Sequence, residues 1–230
     1  YDLAGTNLYN PDWGYQNGKK RSSRITETFD PTVILNWLFK KNNTTLNTSA
    51  AFRSVYYNRT ALNYYNATDP NPSYYKYLPS YFEGRGDEAA AEYYTWIWEN
   101  DEAFRQIKWD DLYQINYLNN VQNENLPEGQ KLGSSYIMEN RTNHQLVGMF
   151  NSYINTRLNS FMTLQAGVSF NYTKSSNYKT IRDLLGGEFW IDIDPFSNRE
   201  ESVRPGNLQN DVDNPNRRVR KGDRFGYDYD

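Results

Sequence analysis

The chain contains no cysteine, so neither a disulfide scaffold nor a thiolate metal site can be built from it. It has one histidine, His144, which excludes a histidine-rich zinc site, and no Ser-His-Asp or Cys-His arrangement stands out. No stretch approaches the 18 or more apolar residues of a transmembrane helix, and mean hydropathy is −0.93. A basic excess is lacking too: 25 Lys and Arg stand against 28 Asp and Glu, net −3 at pH 7, so no global positive field points to nucleic acid. What the 230 residues do have is aromatic side chains: 21 Tyr, 11 Phe and 6 Trp in a chain only 37% hydrophobic. Such amphipathic rings suit surfaces and interfaces as much as dry cores. None of this excludes an outer-membrane β-barrel, whose alternating strands have the average hydropathy of a soluble protein.

The clearest periodicity is two. Met162, Leu164, Ala166, Val168, Phe170 and Tyr172 fall on one face of a strand, and Thr163, Gln165, Gly167, Ser169 and Asn171 on the other. Leu46, Thr48, Ala50, Phe52 and Tyr56 repeat the pattern against Asn47, Ser49, Ala51 and Arg53. Partner strands precede both: Val33, Leu35, Trp37 and Phe39 in one, Leu146, Gly148, Phe150 and Ile154 in the other. Strands are expected over about 22–39, 45–57, 135–157 and 161–174, with Asp30-Pro31 as a bend because proline cannot donate to a ladder. Lys40-Lys41-Asn42-Asn43 and Leu158-Asn159-Ser160 are short turns, whereas the connections over about 58–134 and 175–230 are long. Short turns at one end and long loops at the other is the outer-membrane barrel pattern. Within the first long connection Asp69-Pro70-Asn71-Pro72 is a rigid turn. A helix is expected from Asp87 to Ile107, capped by Asp87, with a short second one around Trp109, Leu112, Tyr113 and Asn116. A helical turn is expected near Thr180–Leu185, stopped by Gly186-Gly187.

Chemical signals are sparse. His144 sits in an expected strand and reads as a solvated or strand-lining residue. Asp192 and Asp194 share a face if Phe189–Asp194 is extended; they match no calcium-loop template and read as solvated loop carboxylates. The basic groups Arg217, Arg218, Arg220, Lys221, Arg224 and Lys19, Lys20, Arg21, Arg24 admit a nucleic-acid reading, but the net negative charge favours local complements to acidic loops or contacts to anionic headgroups. The tyrosine clusters admit three readings: a sugar-stacking platform, an interfacial aromatic girdle, or loop-on-loop packing. Low-specificity ligand candidates are Tyr74, Tyr75, Tyr77, Tyr81 and Trp190. No catalytic residue, cofactor or metal is expected, and no enzyme activity.

The strings Asn10-Pro11-Asp12-Trp13-Gly14-Tyr15-Gln16-Asn17-Gly18, Phe29-Asp30-Pro31, Tyr74-Tyr75-Lys76-Tyr77-Leu78-Pro79-Ser80-Tyr81, Asp183-Leu184-Leu185-Gly186-Gly187 and Lys221-Gly222-Asp223-Arg224-Phe225 resemble the barrel of TonB-dependent outer-membrane receptors. The type is the nutrient-uptake one with a carboxypeptidase-regulatory-like N-terminal domain. The resemblance implies an all-β fold: an antiparallel transmembrane β-barrel section of about four strands in two hairpins, with long external loops containing short helices. It implies the Gram-negative cell outer membrane, energised uptake of a glycan, peptide or chelate, and no nucleic acid. Its implied partners are outer-membrane lipid, the rest of the barrel and plug, the TonB complex through a missing N-terminal part, and a surface lipoprotein. No plug or TonB box is recognisable, so the chain would be a mid-barrel segment. The alternative is a secreted soluble β-rich glycan-binding module whose apolar stripes pack face to face.

Overall fold

The computed structural model describes residues 1–194 and 209–230; the part of the expected 175–230 connection at 195–208 lies outside the described residues. The described residues are mostly antiparallel β-sheet, with three α-helices among them. In chain order the strands are β1 (Trp13–Gln16), β2 (Lys19–Ser22), β3 (Thr26–Phe29), β4 (Thr32–Lys41), β5 (Thr44–Tyr64), β6 (Tyr136–Arg157), β7 (Thr163–Asp183), β8 (Trp190–Ile191), β9 (Arg218–Val219) and β10 (Arg224–Tyr229). The helices are α1 (Pro79–Glu83), α2 (Glu88–Asn100) and α3 (Trp109–Asn123). The main sheet runs β10-β7-β6-β5-β3, with β4 also on β5, and does not close on itself among the described residues. Contacts divide the chain into two compact units: residues 1–25, 59–140 and 179–227, and residues 26–58, 141–178 and 228–230.

The second unit is sheet. Asp30-Pro31 interrupts what would be one strand, and β3 and β4 both pair with β5. Arg53 holds the bend, its Nε donating to Asp30 Oδ1 at 2.7 Å beside a second bond to Oδ2. The β4–β5 register pairs Lys41 with Thr44, leaving Asn42-Asn43 as a two-residue turn with Asn42 at φ 48°. The β6–β7 turn is longer: Asn159 Oδ1 accepts the amides of Phe161 and Met162, so β7 starts at Thr163 and not at 161. Thr44–Thr156, Thr48–Ser152 and Thr142–Asn58 hydroxyl contacts tie β5 to β6 on one face. Among the described residues of this unit only Asn58 and Thr142 are buried. It has no apolar core.

Among the described residues the first unit has two cores. One joins Ile107, Trp109, Leu112, Tyr136, Met138 and Leu185; the other joins Ile137, Ile181, Trp190, Val219 and Phe225. Each such side chain contributes roughly 1.5–3 kcal/mol of burial. The β1–β2 hairpin turns on Asn17-Gly18, φ 49° and 73°, the left-handed pair that a type I′ turn demands. Gly14 lets this hairpin approach: a Cβ there would stand 1.8 Å from the Ile107 carbonyl oxygen.

Helix α2 begins as expected, Asp87 accepting from the Ala90 amide at 3.1 Å. It ends at Asn100, not Ile107, because Asp101 Oδ1 takes the Ala103 and Phe104 amides into a turn. Helix α3 is 15 residues long and docks through asparagines. Buried Asn116 donates to the carbonyls of Tyr136, Leu184 and Leu185 and accepts from the Ser135 and Tyr136 amides; Asn119 and Asn123 serve Gly133 and Leu132 in the same way. Buried loop backbone is thereby satisfied by side chains.

The helical turn expected at 180–185 does not form. Thr180 to Asp183 complete β7, Ile181 being 1% exposed and bonded through its backbone to Asp223 and Gly222. The chain turns afterwards, at Leu185 (φ 48°) and Gly186 (φ 84°). Strand pairing and burial of Ile181 override local helix preference there.

Candidate functional site: an exposed apolar sheet face and an aromatic loop cleft

Strand alternation and the β4–β5 register set Val33, Leu35, Trp37 and Phe39 opposite Phe52, Ala50, Thr48 and Leu46 on one face of the second unit. Ile34, Asn36, Leu38 and Lys40 oppose Ala51, Ser49, Asn47 and Thr45 on the other face. The apolar face is bare. Leu35 is 68% exposed, Phe52 53%, Val168 59% and Phe170 62%. Trp37, Met162, Leu164 and Tyr172 are exposed as well. A monomer in water rarely leaves so many neighbouring large apolar side chains uncovered, and a contiguous patch of this kind marks a membrane or partner surface.

The extent of the stripe is informative. From Leu46 to Tyr56 on β5, and from Met162, the residue before β7, to Tyr172 within it, ten residue steps cover about 33 Å of extended chain. At the ~40° tilt of outer-membrane barrels that projects to about 25 Å, the height of their outer apolar band. The other face of β5 and β7 carries Asn47, Arg53, Gln165 and Asn171, with Arg53 paired to Asp30.

In the first unit the loop tyrosines do come together. Tyr74 packs edge-to-face on Tyr75 and Tyr77 at 4.8 and 5.4 Å between centroids, and Tyr75 on Tyr81 at 5.6 Å. The chain of rings continues through Phe82, stacked on Tyr94 at 4.4 Å, to Phe104 and Trp98. Arg85 anchors the end, donating to the Tyr81 hydroxyl at 2.8 Å. The Trp98 indole donates to the Tyr77 carbonyl at 2.9 Å, and the Tyr77 hydroxyl to the Asp69 carbonyl at 3.0 Å. Burial, reinforced by the neighbouring Asp69 charge, raises the Tyr77 phenol and keeps it protonated despite an opposing hydrogen bond from Thr68.

Beside these rings opens a cleft of about 310 Å³ lined by Tyr77, Tyr94 and Phe104 with Asp69, Lys108 and Asp111. Flat rings and a charged rim suit a ligand with one apolar face and peripheral hydroxyl or amide groups. Of the sequence candidates, Tyr77 lines the cleft and Tyr74, Tyr75 and Tyr81 belong to the ring network around it. Trp190 does not: it is 1% exposed inside the second core. Phe104, Lys108 and Asp111 carry no local sequence signal; the turn at Asp101 and the α3 start bring them there.

The remaining signals resolve into structure. Asp192 is not a solvated loop carboxylate but 1% exposed, paired with Arg217 and accepting from Asn210 Nδ2 at 2.8 Å and the Gly226 amide at 2.9 Å. Arg218 pairs with Glu128 and lies 4.5 Å above the Phe189 ring. Arg24 meets Asp12 at 3.4 Å. His144 lies in β6, its Nε2 3.3 Å from the Ser54 hydroxyl and its ring beside Tyr56. No group of three or more His, Asp or Glu suited to a metal occurs among the described residues.

No family model matches the sequence, and no curated protein is similar to it. Among solved structures, a chain of the gasdermin A3 membrane pore aligns over 74% of this chain at 8% identity and a TM-score of 0.22. The alignment spans 60% of that chain, and at this score it does not amount to a shared fold.

Proposed function

We propose that this chain is a section of a TonB-dependent outer-membrane receptor, its apolar sheet face set against lipid and its loops contributing to capture of a bulky nutrient. The observation that carries the reading is the uncovered apolar face of β4–β7, about 25 Å tall at barrel tilt. A soluble sandwich needs those stripes packed against a second sheet, whereas Phe52 and Phe170 are more than half exposed. A barrel section also accounts for β4, whose far edge has no partner among the described residues; an edge in lipid requires a neighbouring strand. In this reading the polar face with Asn47, Arg53, Gln165 and Asn171 meets a wet lumen or plug. The aromatic cleft, with Tyr77 on its wall, receives part of the transported molecule.

Detergent dependence tests the reading. The 230-residue chain is expected to aggregate in plain buffer and to become monodisperse in a mild detergent, followed by light scattering. A monodisperse, folded monomer in buffer alone overturns it.

A further inference from the structure

A second cleft of the first unit, of about 540 Å³, is bordered by α3, by the 129–135 segment and by β8, a size ordinary for ligand clefts. Its cations are already matched: Glu128 holds Lys131 at 2.9 Å and pairs with Arg218. What stays open is neutral. The carboxamides of Asn66, Gln122 and Gln130 line the cleft, are exposed, and make no hydrogen bond among the described residues. A second, independent observation lies in the wall. Trp190 is 1% exposed, and its indole Nε1 has no acceptor among the described residues. Two other buried tryptophans each donate to a backbone carbonyl, Trp98 to that of Tyr77 at 2.9 Å and Trp109 to that of Arg21 at 3.1 Å. An unpaired buried donor is costly and calls for a partner, and the open space that Trp190 borders is this cleft.

We infer that this cleft binds a short, uncharged stretch of peptide main chain, one carbonyl accepting from Trp190 Nε1 and neighbouring peptide groups pairing with Asn66, Gln122 and Gln130. The indole is a donor only, and each carboxamide offers a donor and an acceptor together, the complement of a peptide group. A sugar fits less well, because stacking on it needs an open ring face. The Trp190 ring is packed with Ile137, Ile181, Val219 and Phe225, and Tyr65, also on the wall, packs against that same core. The inference goes beyond the barrel reading and does not depend on which side of the sheet meets lipid.

Acetyl-tetraalanine amide, a peptide without charge or polar side chains, is titrated into the chain to test this. The titration runs in detergent, or in plain buffer should the chain dissolve there, so its outcome is separate from detergent dependence. Isotope labelling of the tryptophan indole nitrogens lets NMR follow the six N–H groups individually, and the resonance lost in Trp190→Phe is that of Trp190. Saturable downfield movement of this resonance is expected, since the indole gains an acceptor. Calorimetric affinity is expected to fall about fivefold in Trp190→Phe and at least about fivefold in Gln122→Ala/Gln130→Ala, from the loss of one or two neutral hydrogen bonds. Both glutamines are exposed, so circular dichroism of the double variant is expected to match the parent. Maltotetraose is expected to leave the Trp190 resonance in place. Absence of a saturable movement with the peptide overturns the inference, as does undiminished affinity in the glutamine variant or an equal response to maltotetraose.

Discussion

Replacing Val168 by arginine separates a lipid-facing stripe from a water-facing one. Val168 is 59% exposed, so in water Val168→Arg removes no packing and is expected to change stability by no more than about 0.5 kcal/mol. In a bilayer its depth decides the cost. It lies six residues from Met162 and four from Tyr172, close to the middle of a stripe about 25 Å tall at barrel tilt. Arginine at the midplane costs about 2–4 kcal/mol and near the interfaces about 0–1. The expected series is therefore Val168→Arg above Met162→Arg and Tyr172→Arg by about 1–4 kcal/mol, roughly one to three orders of magnitude in the folding equilibrium. Ser169→Arg, on the opposite face, is expected to cost little. Denaturant titration of each variant in phospholipid vesicles measures the profile. A flat profile, with all four variants within about 0.5 kcal/mol of the parent, refutes the reasoning.

Other expectations follow from particular contacts. Gly14→Ala places a Cβ against the Ile107 carbonyl and is expected to cost about 1–3 kcal/mol, seen as a lower denaturation midpoint with unchanged slope. Asp192→Asn strips Arg217 of its carboxylate; because Arg217 is a third exposed, a loss of about 2 kcal/mol is expected, below the fully buried case. Faster hydrogen exchange confined to residues 209–226 would register it. Burial raises the Asp183 carboxyl, but the Leu185 amide and Arg21 outweigh it and hold it below the ordinary range. Its contribution is then complete above the unfolded value near 3.9 and is lost as pH falls through the lower folded value. Melting temperatures of the parent and Asp183→Asn are expected to differ at pH 6 and converge toward pH 2. A constant difference over that range contradicts the assignment.

The long strands are legible because a period of two survives in side-chain type: Met162 to Tyr172 alternate without a break, and Leu46, Ala50, Phe52 and Tyr56 keep one face despite Thr48 and Ser54 on it and Val55 on the other. Their ends were not, since β5 and β7 continue to Tyr64 and Asp183 through residues whose partners are distant in sequence. The β1–β2 hairpin had its signal in Asn17-Gly18, but Lys19-Lys20-Arg21 beside it lack alternation. Arg21 is there to reach Asp183, 162 positions away. Helix α3 was visible only at its apolar start, because its later turns dock by asparagines, which carry no hydrophobic period. The burial of Trp190, a ligand candidate by sequence, and of Asp192, a solvated carboxylate by sequence, is illegible for one reason: both are covered by segments near 217–226, and nothing in their own neighbourhood announces that cover. The tyrosine loop was readable as a cluster. Its cleft was not, because Phe104, Lys108 and Asp111 join it only through the turn at Asp101.

The chain's lack of cysteine makes the decisive measurement direct. Single cysteines placed in turn at positions 162 to 172 and labelled with an environment-sensitive fluorophore report the surroundings of each β7 face in vesicles. The account predicts alternation: quenching by lipid-borne nitroxides at even positions through Phe170, and by aqueous iodide at odd positions through Asn171. Iodide access at every position, or shielding of Phe170 from both quenchers, contradicts it.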